Sequence, residues 1–232
     1  MLLILSAIWG SAFIAIKLSL EYFAPVSVAS YRLIIASIFL LIFYIIGQYK
    51  TLLSKKDLLM LIFVGVVGNF LPFYLISWSE QFIQSSTAGI LMGIGPILTL
   101  VLSHFFTRDD KINFVKFISI IIGFIGVLFI FEIDSLFSFQ SSNSLQLISK
   151  FLIIIAALGY MISNIAAYNT LKHIDSFSIT FFATLFGALI SIPFLIFSEF
   201  NQPSYFSIKS ILPILYLGIF PTALAFQLRY HI

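Results

Sequence analysis

Apolar residues run along this chain in long blocks separated by short clusters of charged and polar residues. Taking the clusters as boundaries predicts eight helices, over residues 1–20, 26–47, 58–78, 84–106, 113–131, 149–169, 176–198 and 210–230. Most blocks hold about 20 residues, enough to cross a hydrocarbon core of roughly 30 Å at 1.5 Å per residue. The connections are too short to hold a soluble domain. The longest, Glu132 to Ile148, is rich in Ser, Asn and Gln and divides the chain into two halves.

Composition strengthens this reading. Of 232 residues, 61% are hydrophobic and 9% are Asp, Glu, Lys or Arg, against roughly 25% charge in a soluble domain. So few charges cannot cover a water-facing surface, and a mean hydropathy of +1.13 agrees. The protein is therefore expected to be an integral membrane protein, all-α, with lipid as its surroundings. Its net charge of +3 lies scattered in short loops with no basic stripe, which argues against nucleic acid as a partner. With no cysteine there is no disulfide framework and no thiolate metal site; no metal or cofactor is expected. Met1 to Ile16 lacks the basic start and small-residue cleavage site of a signal peptide and reads as a retained first helix.

The few charges set an orientation, because Lys and Arg near span ends stay on the cytoplasmic side. Lys50, Lys55, Lys56, Arg108, Lys111, Lys116, Lys172 and Arg229 mark the even-numbered connections and ends, whereas Glu21, Glu80, Glu132, Asp134 and Glu199 follow the odd-numbered spans, with only Lys150 and Lys209 in or beside those odd connections. The N-terminus is thus expected in the cytoplasm. Small residues recur at helical spacing, as in Ser86, Gly89 and Gly93 or Thr180, Thr184 and Gly187. Such stripes let helix backbones approach closely in lipid.

The halves echo each other. Trp9, with Pro25-Val26-Ser27 sixteen residues on, matches Gly159, with Asp175-Ser176-Phe177 at the same interval; Leu58 to Leu75, with Gly65, Gly68 and Asn69, lies over Ile211 to Leu228, with Gly218, Pro221 and Thr222. The offsets are 150 and 153 residues. Five spans separate equivalent positions, so the second half threads the membrane in the opposite sense. Inverted repeats of this kind are a recurrent architecture of secondary transporters.

Trp9-Gly10-Ser11-Ala12-Phe13, Tyr31-Arg32-Leu33-Ile34, Ser86-Thr87-Ala88-Gly89 leading to Pro96, Gly123-Phe124-Ile125-Gly126 and Leu215 to Ala225 together resemble the EamA-type drug/metabolite transporter superfamily. The resemblance covers the whole chain. It implies ten helices in two inverted five-helix repeats, and movement of small metabolites across an inner membrane. On that pattern residues 1–131 form the first repeat, 132–148 a polar linker, and 149–232 a second repeat with three helices, so that eight helices are present of an expected ten. The chain then reads either as a fragment or as a reduced form completed by a partner such as a second copy. A further departure is Asp110, which stands before Lys111-Ile112 where the family usually has Glu.

Charges within a span are costly, roughly 2.5–3.5 kcal/mol at a helix centre, and are functional candidates for that reason. There are two, Lys17 near the outer end of the first span and Arg32 about two turns into the second. The plain alternative for Lys17 is snorkelling to the interface; for Arg32 it is pairing with backbone carbonyls or Glu21. No Asp or Glu falls firmly within a span, so proton coupling would need another group, and two cations without an anion favour an anionic or zwitterionic, amino-acid-like solute. Trp9, Asn69, Tyr74, Tyr160, Asn164 and Gln227 supply the remaining polar and aromatic lining, Gln227 being the repeat mate of Tyr74. Each could instead simply hydrogen-bond a neighbouring helix. Pro72, Pro96, Pro193, Pro213 and Pro221 fall within spans and are candidate hinges. The function expected is a secondary transporter working by alternating access. The alternatives are a non-transporting scaffold or partner-dependent subunit and, more remotely, a membrane-embedded enzyme, for which no His-Glu-x-x-His, Gly-x-Ser-x-Gly or phosphate-binding glycine loop is present.

Overall fold

The structure, a computed structural model, describes residues 2–106, 113–130 and 144–226. Among them every regular element is helical: α1 (Leu2–Ser19), α2 (Pro25–Ile46), α3 (Lys55–Gly65) passing through a π-helical turn (Val66–Phe70) into α4 (Leu71–Ser79), α5 (Ser85–Met92), α6 (Gly95–Phe106), α7 (Phe114–Ile130), α8 (Ser144–Thr170), α9 (Ser176–Asn201) and α10 (Ile208–Leu217), which runs into a second π-helical turn (Gly218–Leu224). Pro25–Ile46, Lys55–Ser79, Ser85–Phe106, Ser144–Thr170 and Ser176–Asn201 are long and apolar enough to cross a membrane. Leu3–Ser19, Phe114–Gly126 and Ile208–Leu224 are apolar but shorter. This is a polytopic membrane helix bundle.

Local chemistry explains where the helices start and break. Ser54 opens α3 with a reciprocal capping box to Asp57, and Ser207 opens α10 with the same device to Ser210; each satisfies two orphan backbone donors. The two boxes are themselves 153 residues apart. Pro72 has no N–H for the carbonyl of Gly68, and Pro221 none for that of Leu217. In both places the turn widens by one residue: Leu71 N–H bonds to Val66 O, and Ala225 N–H to Phe220 O. The block predicted over 84–106 is likewise interrupted, at Gly93-Ile94, because Pro96 leaves the carbonyl of Met92 without its helical donor. α8 begins at Ser144, so residues 144–148 of the expected linker are helical; polar residues extend that helix beyond the apolar block. The rest of that linker and Asp110 lie outside the described residues.

Packing follows the repeat. α2 lies along α9, its counterpart; α1 packs on α10, and α3–α4 pack on α8, a pair of contacts that the two-fold relation exchanges. Glycine sets the closest crossings. A Cβ on Gly65 would lie 2.5 Å from the carbonyl oxygen of Ala183, and one on Gly187 would lie 2.7 Å from that of Gly65. The mate of Gly65, Gly218, sits equally tight on α2, where a Cβ would come 2.5 Å from Ile35 Cγ2. Large apolar side chains such as Phe114, Phe124, Phe197 and Phe200 face outward. In water such a surface would aggregate; in lipid it is matched to its solvent.

Candidate substrate site

Arg32 lies two turns into α2 and is 5% exposed. Its position follows from the break in the last described span. Pro221 strips the carbonyl of Leu217 of its helical donor, and Thr222 supplies a substitute by donating from Oγ1 at 2.7 Å. The same oxygen accepts from Arg32 Nε at 2.6 Å. On its face, the guanidinium stacks over Phe73 of α4, with Cζ 3.7 Å from the ring centroid, a cation–π contact. Tyr160 of α8 meets the edge of Phe73, ring centroids 6.0 Å apart, and lies within electrostatic reach of Arg32. Among the described residues no hydrogen-bond acceptor is found for the two terminal nitrogens of Arg32. They form the half of the fork that can grip a carboxylate or phosphate at two points.

The neighbouring groups come from both repeats. Gly68 and Asn69 on one side, and Tyr160, Asn164 and Thr180 on the other, line an internal space of about 20 Å³. That volume holds about one water. Trp9 closes the flank of the π turn after α10: its indole N–H donates to Pro221 O at 3.3 Å, a carbonyl to which Ala225 N–H does not turn, reaching Phe220 O and Thr222 O instead. The ends of the bundle are also tied across the repeats. Glu199 of α9 accepts from Ser27 of α2 at 2.7 Å, and Asp57 of α3 meets His173, beyond α8, at 3.2 Å.

The structure thus brings Arg32, Asn69, Tyr160 and Asn164 to one region, with Trp9 bracing it. Tyr74 packs in the same apolar cluster as Phe73 and Tyr160, with Leu33, Phe70 and Ala188. Lys17 stands apart. It is exposed, and its ammonium is spent on the carbonyl oxygens of Glu80 and Ile83 at the end of the bundle. Gln227 lies outside the described residues. Thr222 and Phe73 were not among the expected site residues, although Thr222 is the repeat mate of Asn69 and Phe73 shares a helical face with it. Lys150, expected beside a connection, is buried in the second turn of α8 at 8% exposed. Glu80, expected in an outer connection, is fully buried.

The model of the EamA-like transporter family matches residues 1–132 and 147–231. The chain belongs to the EamA-like transporter family. This EamA-like chain is 32% identical, over 97% of its length, to the uncharacterized transporter YetK of Bacillus subtilis (strain 168), of which it covers 68%. It is 25% identical to the uncharacterized transporter YoaV of the same organism, over 94% of the chain and 73% of the relative. An uncharacterized transporter of Archaeoglobus fulgidus is 34% identical over 53% of the chain and 44% of its own length. No solved structure matches. Family and relatives make this EamA-like protein a membrane transporter.

Proposed function

We propose that this protein carries small anionic or zwitterionic, amino-acid-like metabolites across a bacterial-type inner membrane by alternating access, with Arg32 gripping the solute's carboxylate or phosphate. The observation that carries the reading is the buried guanidinium of Arg32. It is fixed by Thr222 and Phe73, and no acceptor for its terminal nitrogens is found among the described residues. An unneutralised cation inside a bilayer protein is expensive, and a bound anion relieves that cost. Asn69, Tyr160 and Asn164 shape the remainder of the pocket, and Trp9 and Tyr74 support it. Lys17 acts at the rim, and Gln227, as the repeat mate of Tyr74, is assigned to the same lining.

Movement is supported by where the repeats meet. The space between Asn69 and Asn164 is closed to anything larger than about one water, and the Glu199–Ser27 and Asp57–His173 contacts tie opposite ends. Releasing one tie while keeping the other opens one face at a time. The basic residues support a cytoplasmic position for the end bearing Lys50, Lys55 and Lys172, and with it the N-terminus.

The test is uptake and counterflow in proteoliposomes with L-aspartate, L-threonine and glycerol 3-phosphate as probes. Flux of at least one probe should be abolished by Arg32→Ala and weakened by Arg32→Lys, which keeps the charge but loses the fork. Unchanged flux in Arg32→Ala would overturn the role of this residue. Orientation is read separately with a single cysteine at Lys50 or Ser204 and an impermeant maleimide, since the chain has no cysteine of its own.

A further inference from the structure

Glu80 is the one carboxylate among the described residues whose side chain is fully shielded and only half satisfied. It follows Ser79 at the end of α4, in the short turn before α5, and is 0% exposed. Its Oε2 accepts from Ser85 Oγ at 3.0 Å, whereas its Oε1 has no hydrogen-bond partner. An ionised carboxylate with a bare oxygen in a dry site is costly unless it takes up a proton. Burial pushes the Glu80 carboxyl up to about 8, against the pull of Ser85, Lys17 and Arg32 toward the ionised form.

The groups facing it come from three helices. From α1, Lys17 holds the main-chain carbonyls of Glu80 and Ile83. From α2, Arg32 lies within electrostatic reach, and Tyr160 of α8 in turn faces Arg32. From α5, Ser85 stands between two acceptors: its single hydroxyl hydrogen can go to Glu80 Oε2 at 3.0 Å or to the carbonyl of Phe13 in α1 at 3.2 Å. It cannot go to both at once. With Glu80 ionised, Ser85 serves the carboxylate. With Glu80 protonated, the carboxyl can donate to Ser85 Oγ, which is then released to donate to α1. Protonation therefore changes which helix the Glu80–Gln84 turn is tied to.

We propose that Glu80 is the proton-binding group of this transporter, and that a proton taken up on Oε2 from water at one face travels with the anionic solute and is released at the other. The inference rests on Arg32 binding an anion, as proposed above. An anion on Arg32 cancels part of the positive potential that favours ionised Glu80, and so favours its protonation. By reciprocity the proton favours the anion by the same factor. Both charges cross together and the buried site stays near neutrality. No covalent bond other than O–H is made or broken.

The experiment uses the full chain in liposomes of phosphatidylethanolamine and phosphatidylglycerol, with the same three probes. For a transported anion, accumulation should follow an imposed proton gradient by up to about tenfold per pH unit for one coupled proton, with internal acidification seen by a trapped pH dye. Glu80→Gln keeps the shape and can still hydrogen-bond Ser85. It should retain solute counterflow while losing both gradient-driven accumulation and proton movement. Infrared difference spectra of the wild type should show a protonated carboxyl band titrating well above the usual carboxylate range. That band should be absent in Glu80→Gln and shifted to higher pH in Ser85→Ala, which removes a donor to the ionised form. Accumulation that still follows the gradient in Glu80→Gln, or a wild type without such a band, overturns the proposal. Flux that ignores the proton gradient overturns proton coupling alone and leaves the transport reading standing. Absence of flux with all three probes brings down the transport reading and the coupling with it.

Discussion

Replacing Gly187 with alanine should destabilise the protein, while the same change at Gly10 should not. The new methyl on Gly187 would lie 2.7 Å from the carbonyl oxygen of Gly65, roughly 0.7 Å short of ordinary contact. Backbone stands on both sides of the crossing, so neither neighbour can rotate away and α3 and α9 must part. Overpacking of this kind costs about 1–3 kcal/mol. The gain of up to about 1 kcal/mol from replacing a helical glycine offsets part of it. Gly10 has nothing within 4 Å of its would-be Cβ and carries only the gain. Thermal unfolding of purified protein in detergent should therefore show a lowered midpoint for Gly187→Ala and an equal or raised one for Gly10→Ala. Equal midpoints for the two variants would refute the claim that glycine sets the α3–α9 crossing.

Thr222→Val should weaken both solute binding and the fold, because it removes the hydroxyl that accepts from Arg32 Nε and donates to the Leu217 carbonyl; at about 0.6–1.7 kcal/mol per membrane hydrogen bond, a loss of roughly 1–3 kcal/mol is expected in thermal unfolding, with reduced probe affinity in counterflow. Ser54→Ala removes one half of the α3 capping box and should cost about 1 kcal/mol with little effect on flux, read by the same two assays. Glu80 gives a pH dependence of stability. A carboxyl raised from 4.5 to about 8 in the fold means the native state holds the extra proton between those values, so stability falls as pH rises through that window. The unfolding midpoint plotted against pH should slope downward there in the wild type and less steeply in Glu80→Gln.

Much of the architecture was legible in the sequence because membrane helices announce themselves by length and their breaks by Pro and Gly. The repeat offset of 153 residues, seen first in Gly65 and Gly218, places both capping boxes and both π turns. What the sequence left open was direction. These helices are apolar nearly all round, so a hydrophobic stripe does not separate the face toward lipid from the face toward a neighbour. Arg32 was identifiable as a buried cation, but its link to Thr222 depends on α2 crossing the last described span and on Pro221 freeing a carbonyl there. Glu80 was harder still. Its place beyond the end of a span suggested solvent, although it shares a helical face with Asn69, Phe73 and Ile76. The turn folds it inward, and only the packed structure shows that.

The two π turns also date the repeat. Such turns account for well under 1% of residues in proteins, yet here one occurs in each half, at Val66–Phe70 and Gly218–Leu224, over matched positions although Pro221 lies inside its turn and Pro72 just beyond the other. Independent acquisition at the same register is a poor explanation beside inheritance. A widened turn at one register in both halves is what duplication of a single half carrying it would leave. On that matched frame the present chain builds an asymmetric site, one half contributing Arg32 and the other Thr222.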